Sequence, residues 1–113
     1  MSATPPRALQ EFLSTLRATI LVRSGGLAGM EYVLDQRRIS IGRGPGVDLA
    51  IDDASLACQH AVLEFSQGAF VLRRLAEQAE IQVNGRAVRK ATLKPTDRFQ
   101  LGRLSFSYRV EPR

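Results

Sequence analysis

The chain has no tryptophan, one cysteine and one histidine among its 113 residues. Each scarcity excludes something. A lone Cys58 cannot close an internal disulfide, which agrees with a reducing compartment. Cys58 and His60 offer two soft ligands where a structural zinc site takes four, so no metal site is expected. They are also the only Cys–His couple. Side chains two apart in a strand share a face, but no orienting third group stands at a telling spacing, and the chain is not read as an enzyme. No apolar run approaches the roughly 20 residues that cross a bilayer. The N-terminus lacks the charged start and apolar centre of a secretory signal, so the expected location is the cytoplasm. No cofactor is expected either. Gly42-Arg43-Gly44-Pro45-Gly46 is glycine-rich but lacks GxxxxGK[ST], and it lies between two strands with no helix N-terminus to hold a phosphate.

What is present is one domain's worth of chain with an uneven charge. The formal net charge is +5. Residues 82–113 carry eight basic and two acidic residues, giving +6, and the remainder is about −1. A basic C-terminal third can attract acidic partners or nucleic acid. Nucleic acid is the weaker reading: aromatics in the segment are few (Phe99, Phe106, Tyr108), and Phe99 and Phe106 look like core positions, so stacking platforms are scarce.

The first residues differ from the rest. Thr4 followed by Pro5 suits a helix start. Leu9, Phe12, Leu13 and Leu16 fall at i, i+3, i+4 and i+7, which predicts a short amphipathic helix over about 6–17. Its stripe either packs on its own domain or docks a partner or a second copy of the chain. From Thr19 onward the pattern is β. Strands are predicted at Thr19–Arg23, Glu31–Asp35, Arg38–Ile41, Asp48–Ile51, His60–Phe65, Ala69–Leu75, Ile81–Val83, Arg86–Val88, Arg98–Leu101 and Leu104–Val110. Asn84-Gly85 between two of them is the strongest short hairpin signal available. Short strands with turn signals every 8–12 residues indicate an all-β sandwich. The organisation read from this is an extension (1–18), a β domain (19–110) and a tail (111–113).

Three blocks carry a family resemblance: Ile41-Gly42-Arg43, then Asp48 to Ser55, then His60-Ala61-Val62-Leu63. With Val83-Asn84-Gly85, Leu93 to Asp97 and Phe99-Gln100-Leu101-Gly102 at matching spacing, residues 19–110 resemble a forkhead-associated (FHA) domain. The resemblance implies a sandwich of two twisted, mostly antiparallel sheets with about eleven strands and recognition loops at one end. It also implies phosphothreonine binding by an arginine, a serine and further donors, since a dianion needs converging cations and hydrogen-bond donors.

Carried over by position, most of that site is missing. Arg43 matches the phosphate-binding arginine. Ala57 stands at the serine position, Cys58 follows where arginine is common, Gln78 replaces a threonine donor and Ala79 the asparagine. Glu77 and Glu80 add negative charge where an anion would sit. A missing hydrogen bond to a charged group costs about 1.5–3 kcal/mol. The candidate recognition loops are therefore Arg43, Gly44, Ala57, Cys58, Glu77, Gln78, Ala79 and Glu80. Arg43 has two readings: a surviving anion contact, or an ion pair with Glu77 or Glu80. Gly42, His60, Asn84 and Gly85 are read as scaffold, with Gly42 and Gly85 serving turns that need positive φ. The expected function is binding of a protein partner without phosphothreonine, as an adaptor or assembly component of a signalling or secretion-type complex. Phosphopeptide binding retained through Arg43 is the alternative.

Overall fold

The computed structural model describes residues 7–113. One helix, α1 (Arg7–Thr15), precedes eleven strands. These are β1 (Leu16–Val22), β2 (Glu31–Val33), β3 (Arg38–Gly42), β4 (Leu49–Ala50), β5 (Ala61–Ser66), β6 (Ala69–Arg74), β7 (Ile81–Val83), β8 (Arg86–Ala87), β9 (Lys90–Thr92), β10 (Arg98–Leu101) and β11 (Leu104–Pro112). Two sheets form, in the orders β2-β1-β11-β10-β7-β8 and β4-β3-β5-β6-β9. Every pairing is antiparallel except β3 with β4.

Period-two patterning builds the core. Ala18, Ile20 and Val22 of β1 and Leu104, Phe106 and Tyr108 of β11 point inward, and so do Ile39, Ile41, Leu63 and Leu72 of the facing sheet. Phe99 and Phe106 stack with centroids 5.0 Å apart. A second aromatic group closes one end of the sandwich: Phe12 meets Phe65 at 5.2 Å and Phe70 at 6.0 Å, edge to face. Such pairs contribute about 0.5–1.5 kcal/mol each beyond the area they bury.

Phe65 and Phe70 flank the β5–β6 turn, so α1 caps the pole at which β5 ends. The connections β3–β4, β4–β5 and β6–β7 gather at the opposite pole. Leu9 is fully buried, and Phe12 and Leu13 are half-buried against the core. Of the two readings of the apolar stripe, packing on its own domain is the one seen for Leu9, Phe12 and Leu13. Leu16 departs from that prediction, because it opens β1 and pairs with Pro112. The helix is correspondingly shorter than 6–17, and Thr4 and Pro5 lie outside the described residues. The boundary expected between 18 and 19 falls inside β1, and the tail expected at 111–113 is largely β11. Strand β9 was not predicted from the sequence, and β4 is only two residues long.

The Asn84-Gly85 hairpin forms as predicted. Both residues have positive φ, 51° and 82°, the geometry that matches strand twist in a two-residue turn. Asn84 also ties the hairpin to β10: its Nδ2 donates to Asp97 Oδ1 and its Oδ1 accepts from the Arg98 N–H, both at 3.0 Å.

Candidate functional site

The loop pole is organised by backbone hydrogen bonds between segments distant in sequence. Arg43 N–H donates to Ala57 O and Gly44 N–H to Cys58 O, each at 3.0 Å. His60 N–H donates to Ile41 O at 3.0 Å, and Leu75 N–H to His60 O at 2.9 Å. Gly42 makes the first approach possible. Its φ is not positive, so the turn-geometry reading is corrected: a Cβ there would overlap the Cys58 carbonyl. Gly44 is similarly confined, with an added Cβ only 2.8 Å from that of Cys58.

His60 spans two loops. It is 1% exposed. Nδ1 lies 3.0 Å from the Ala57 N–H and Nε2 lies 2.8 Å from Glu80 O. An N–H can only donate and a carbonyl only accept, so Nδ1 is the acceptor and Nε2 carries the proton. Ring and backbone together fix the β4–β5 loop against the β6–β7 loop.

Between these loops lies an open groove of about 590 Å³, lined by Pro45, Leu56, Ala57, Cys58, Leu75 and Gln78 among others. None of the lining side chains is charged. Cys58 is exposed at its rim. Of the sequence-predicted loop residues, the groove brings together Ala57, Cys58 and Gln78. It does not include Ala79, which is fully buried with its N–H on Ala76 O at 3.0 Å. Glu77 and Glu80 have exposed side chains outside the lining, and what they contribute to the pole is backbone: Glu77 O accepts from Arg74 at 3.2 Å, and Glu80 O accepts from His60.

Arg43 is not paired with either glutamate. Its Nε stands 3.6 Å from Asp52 Oδ1, with the two side chains 49% and 98% exposed. An exposed pair of that kind contributes about 0–1 kcal/mol. Asp53, next in sequence, is firmly held. Its Oδ1 accepts from the Ser55 N–H at 2.9 Å and hydroxyl at 2.7 Å, and Arg103 stands 3.3 Å away. These contacts, the Ser55 N–H first, hold its carboxyl below the usual carboxylate range. Asp52, Pro45, Leu56 and Leu75 were not singled out from the sequence. Leu75 could not have been, since nothing in one sequence separates a groove-lining leucine from a core one.

The +6 segment does not form one surface. The registers put Arg98 on the outer face of the six-stranded sheet and Lys90 on that of the five-stranded sheet. Arg103 and Arg109 are ion-paired with Asp53 and Glu111.

The family described as the cytoplasmic domain of the inner membrane component of type III secretion systems, Yop-YscD, matches residues 21–111. The chain belongs to this family. It is an FHA domain. The solved cytoplasmic domain of the type III secretion sorting platform protein PscD from Pseudomonas aeruginosa is 30% identical, with a TM-score of 0.71 over 80% of this chain and 78% of that one. The FhaA FHA domain, solved with the intracellular domain of Rv3910, shares the fold at TM-score 0.73 and 23% identity, over 81% of this chain and 99% of that one. Among curated proteins, the glycogen accumulation regulator GarA of Mycolicibacterium smegmatis is 29% identical over 103 residues, 91% of this chain. The oxoglutarate dehydrogenase inhibitor of Corynebacterium efficiens is 26% identical over 95 residues, 84% of this chain. The chain spans 65% and 67% of those two proteins' lengths. This FHA domain is a non-catalytic protein-interaction module. Among the described residues no helix is long and apolar enough to cross a membrane.

Proposed function

We propose that this FHA domain serves as a cytoplasmic adaptor or assembly component of a secretion-type or signalling complex, and that its loop pole recognises a partner protein without phosphothreonine. The uncharged groove carries the reading. Its wall at Ala57 has no hydroxyl, and its lining holds no cation to meet a dianion. A phosphate placed there would lose its water without gaining the charge-assisted bonds that offset the loss. The family description and the kinship with PscD support a role in assembly. Calorimetric titration with a phosphothreonine peptide library is the test. No micromolar binding is expected, and micromolar binding abolished by Arg43→Ala would overturn the proposal.

One observation favours the alternative of retained phosphopeptide binding. Arg43 is free of Glu77 and Glu80, and its contact with the exposed Asp52 is weak enough to exchange for a phosphate. The same titration separates the two readings.

A further inference from the structure

The outer face of the five-stranded sheet carries charge that the fold leaves uncompensated. The pairing registers set Arg38, Glu64, Val71 and Thr92 in one row across β3, β5, β6 and β9, and Ser40, Val62, Arg73 and Lys90 in the next. Ile39, Leu63 and Leu72 occupy the alternate positions and point into the core, so both rows lie on the outer side of the sheet, where Val62, Ser40 and Val71 are nonetheless buried and the charged side chains form the open surface. Glu64 is the one carboxylate in these rows. Arg73 meets its Oε1 through Nε and Nη2, both at 3.0 Å, and Arg38 stands 3.9 Å from its Oε2. Arg37 joins from the bend before β3, where its carbonyl accepts from the Phe65 N–H at 2.8 Å. The side chains of Arg37 and Lys90 have no hydrogen-bond or ion-pair partner among the described residues. Arg37, Arg38 and Lys90 line one groove of about 350 Å³ together with Glu64, Val71 and Phe65. Arg38 and Arg73 thus share the single carboxylate of Glu64, while Arg37 and Lys90 stand on the same groove with no carboxylate of their own. Asp48, on the β4 side, is already held by the Ser40 N–H and hydroxyl at 2.8 and 3.0 Å.

We infer that this face is a second docking surface, separate from the loop pole, and that it takes an acidic segment of a partner protein. Carboxylates seated beside Arg37, Arg38 and Lys90 would gain charge-assisted hydrogen bonds and extend the alternation that Glu64 begins. A nucleic acid fits less well, because a phosphate run across the face would meet Glu64 at its centre, and the half-buried Phe65 offers little ring to stack on. A lipid surface fits less well too. The one exposed large hydrophobic side chain among the described residues is Leu27, which sits at the loop pole beside Asp52 and Asp53.

The test is an amide-resolved NMR titration of the whole chain with a polyglutamate peptide at low ionic strength, with anionic lipid vesicles and a single-stranded oligonucleotide as parallel arms. Expected are peptide-induced shifts centred on Arg37, Arg38, Glu64, Val71 and Lys90, weakening as salt is added. The double variant Arg37→Glu, Lys90→Glu should bind the peptide about tenfold more weakly. Its amide spectrum should keep its dispersion, because both side chains are exposed and unpaired. Arg98→Glu, on the other sheet, should leave affinity unchanged. The inference is overturned if shifts are absent or centre on another face, if the double variant binds as the parent does, or if vesicles or oligonucleotide occupy the groove in preference to the peptide. Because the loop-pole groove is a different surface, neither outcome bears on phosphothreonine recognition.

Discussion

Replacing His60 by alanine tests whether the loop pole depends on one ring. The substitution leaves the Ala57 N–H with no partner among the described residues, where His60 Nδ1 is its one acceptor. A donor left unpaired costs about 1–3 kcal/mol, and the half-buried Ala57 N–H falls toward the lower end of that range. Glu80 O fares better, because it also accepts from the Gly102 N–H at 3.1 Å; losing the His60 bond there costs about 1 kcal/mol. The void left by a ring that is 1% exposed adds about 1–2 kcal/mol. Together these come to roughly 3–4 kcal/mol, a large share of the 5–15 kcal/mol that holds a typical domain together. Urea unfolding followed by far-ultraviolet circular dichroism reads the loss, as the chain has no tryptophan for fluorescence. With a slope of about 1–2 kcal/mol per molar urea, the midpoint should fall by about 2 M or more. His60→Gln, which keeps one donor and one acceptor, should fall between the parent and the alanine variant. A loss below about 1 kcal/mol for the alanine variant would refute the account of His60 as the link between the two loops.

Three further outcomes follow from the same structure. Gly42→Ala should destabilise by about 2–3 kcal/mol in a thermal melt, because the new methyl group meets the Cys58 carbonyl rather than a side chain that could swing away. Phe12→Ala should cost about 2–4 kcal/mol in the same melt, while the mass measured by light scattering stays that of the parent, because the ring packs on Phe65 and Phe70 of its own chain. Asp53 has a folded-state pKa below its unfolded one, so its contribution to stability is full above the ordinary carboxylate range and disappears as pH falls through the lowered value. Urea midpoints at neutral pH and in strong acid should therefore differ less in Asp53→Asn than in the parent.

Most of the fold was legible because its signals are local. Asn84 and Gly85 tolerate the left-handed backbone of a tight hairpin, and no tertiary contact competes with that preference. Leu16 shows where locality fails. Its spacing from Leu9, Phe12 and Leu13 suits a helical stripe, yet pairing of β1 with β11 as far as Pro112 claims it for a strand. Lys90–Thr92 escaped notice because a three-residue edge strand has too few positions to show alternation. At the loop pole, the identities of Ala57 and Gln78 announced a change of chemistry, and the structure places both on one groove. The partner of Arg43 was not readable. Glu77 and Glu80 were nearest in the family register, but Glu80 is turned to give its carbonyl to His60, and Asp52 lies across the loop instead. Gly42 was recognised as scaffold for the wrong reason, since close approach and positive φ leave the same residue in a sequence.

The long β1–β11 pairing also decides how the domain would respond to force. Leu16 lies opposite Pro112 and Val22 opposite Phe106, so the outer ends of both strands sit side by side. A load applied between them opens the ladder like a zipper, one rung after another, rather than shearing all rungs together. The domain should therefore yield at modest tension from the helix-capped pole, and the loops at the other pole would be the last part to feel the pull.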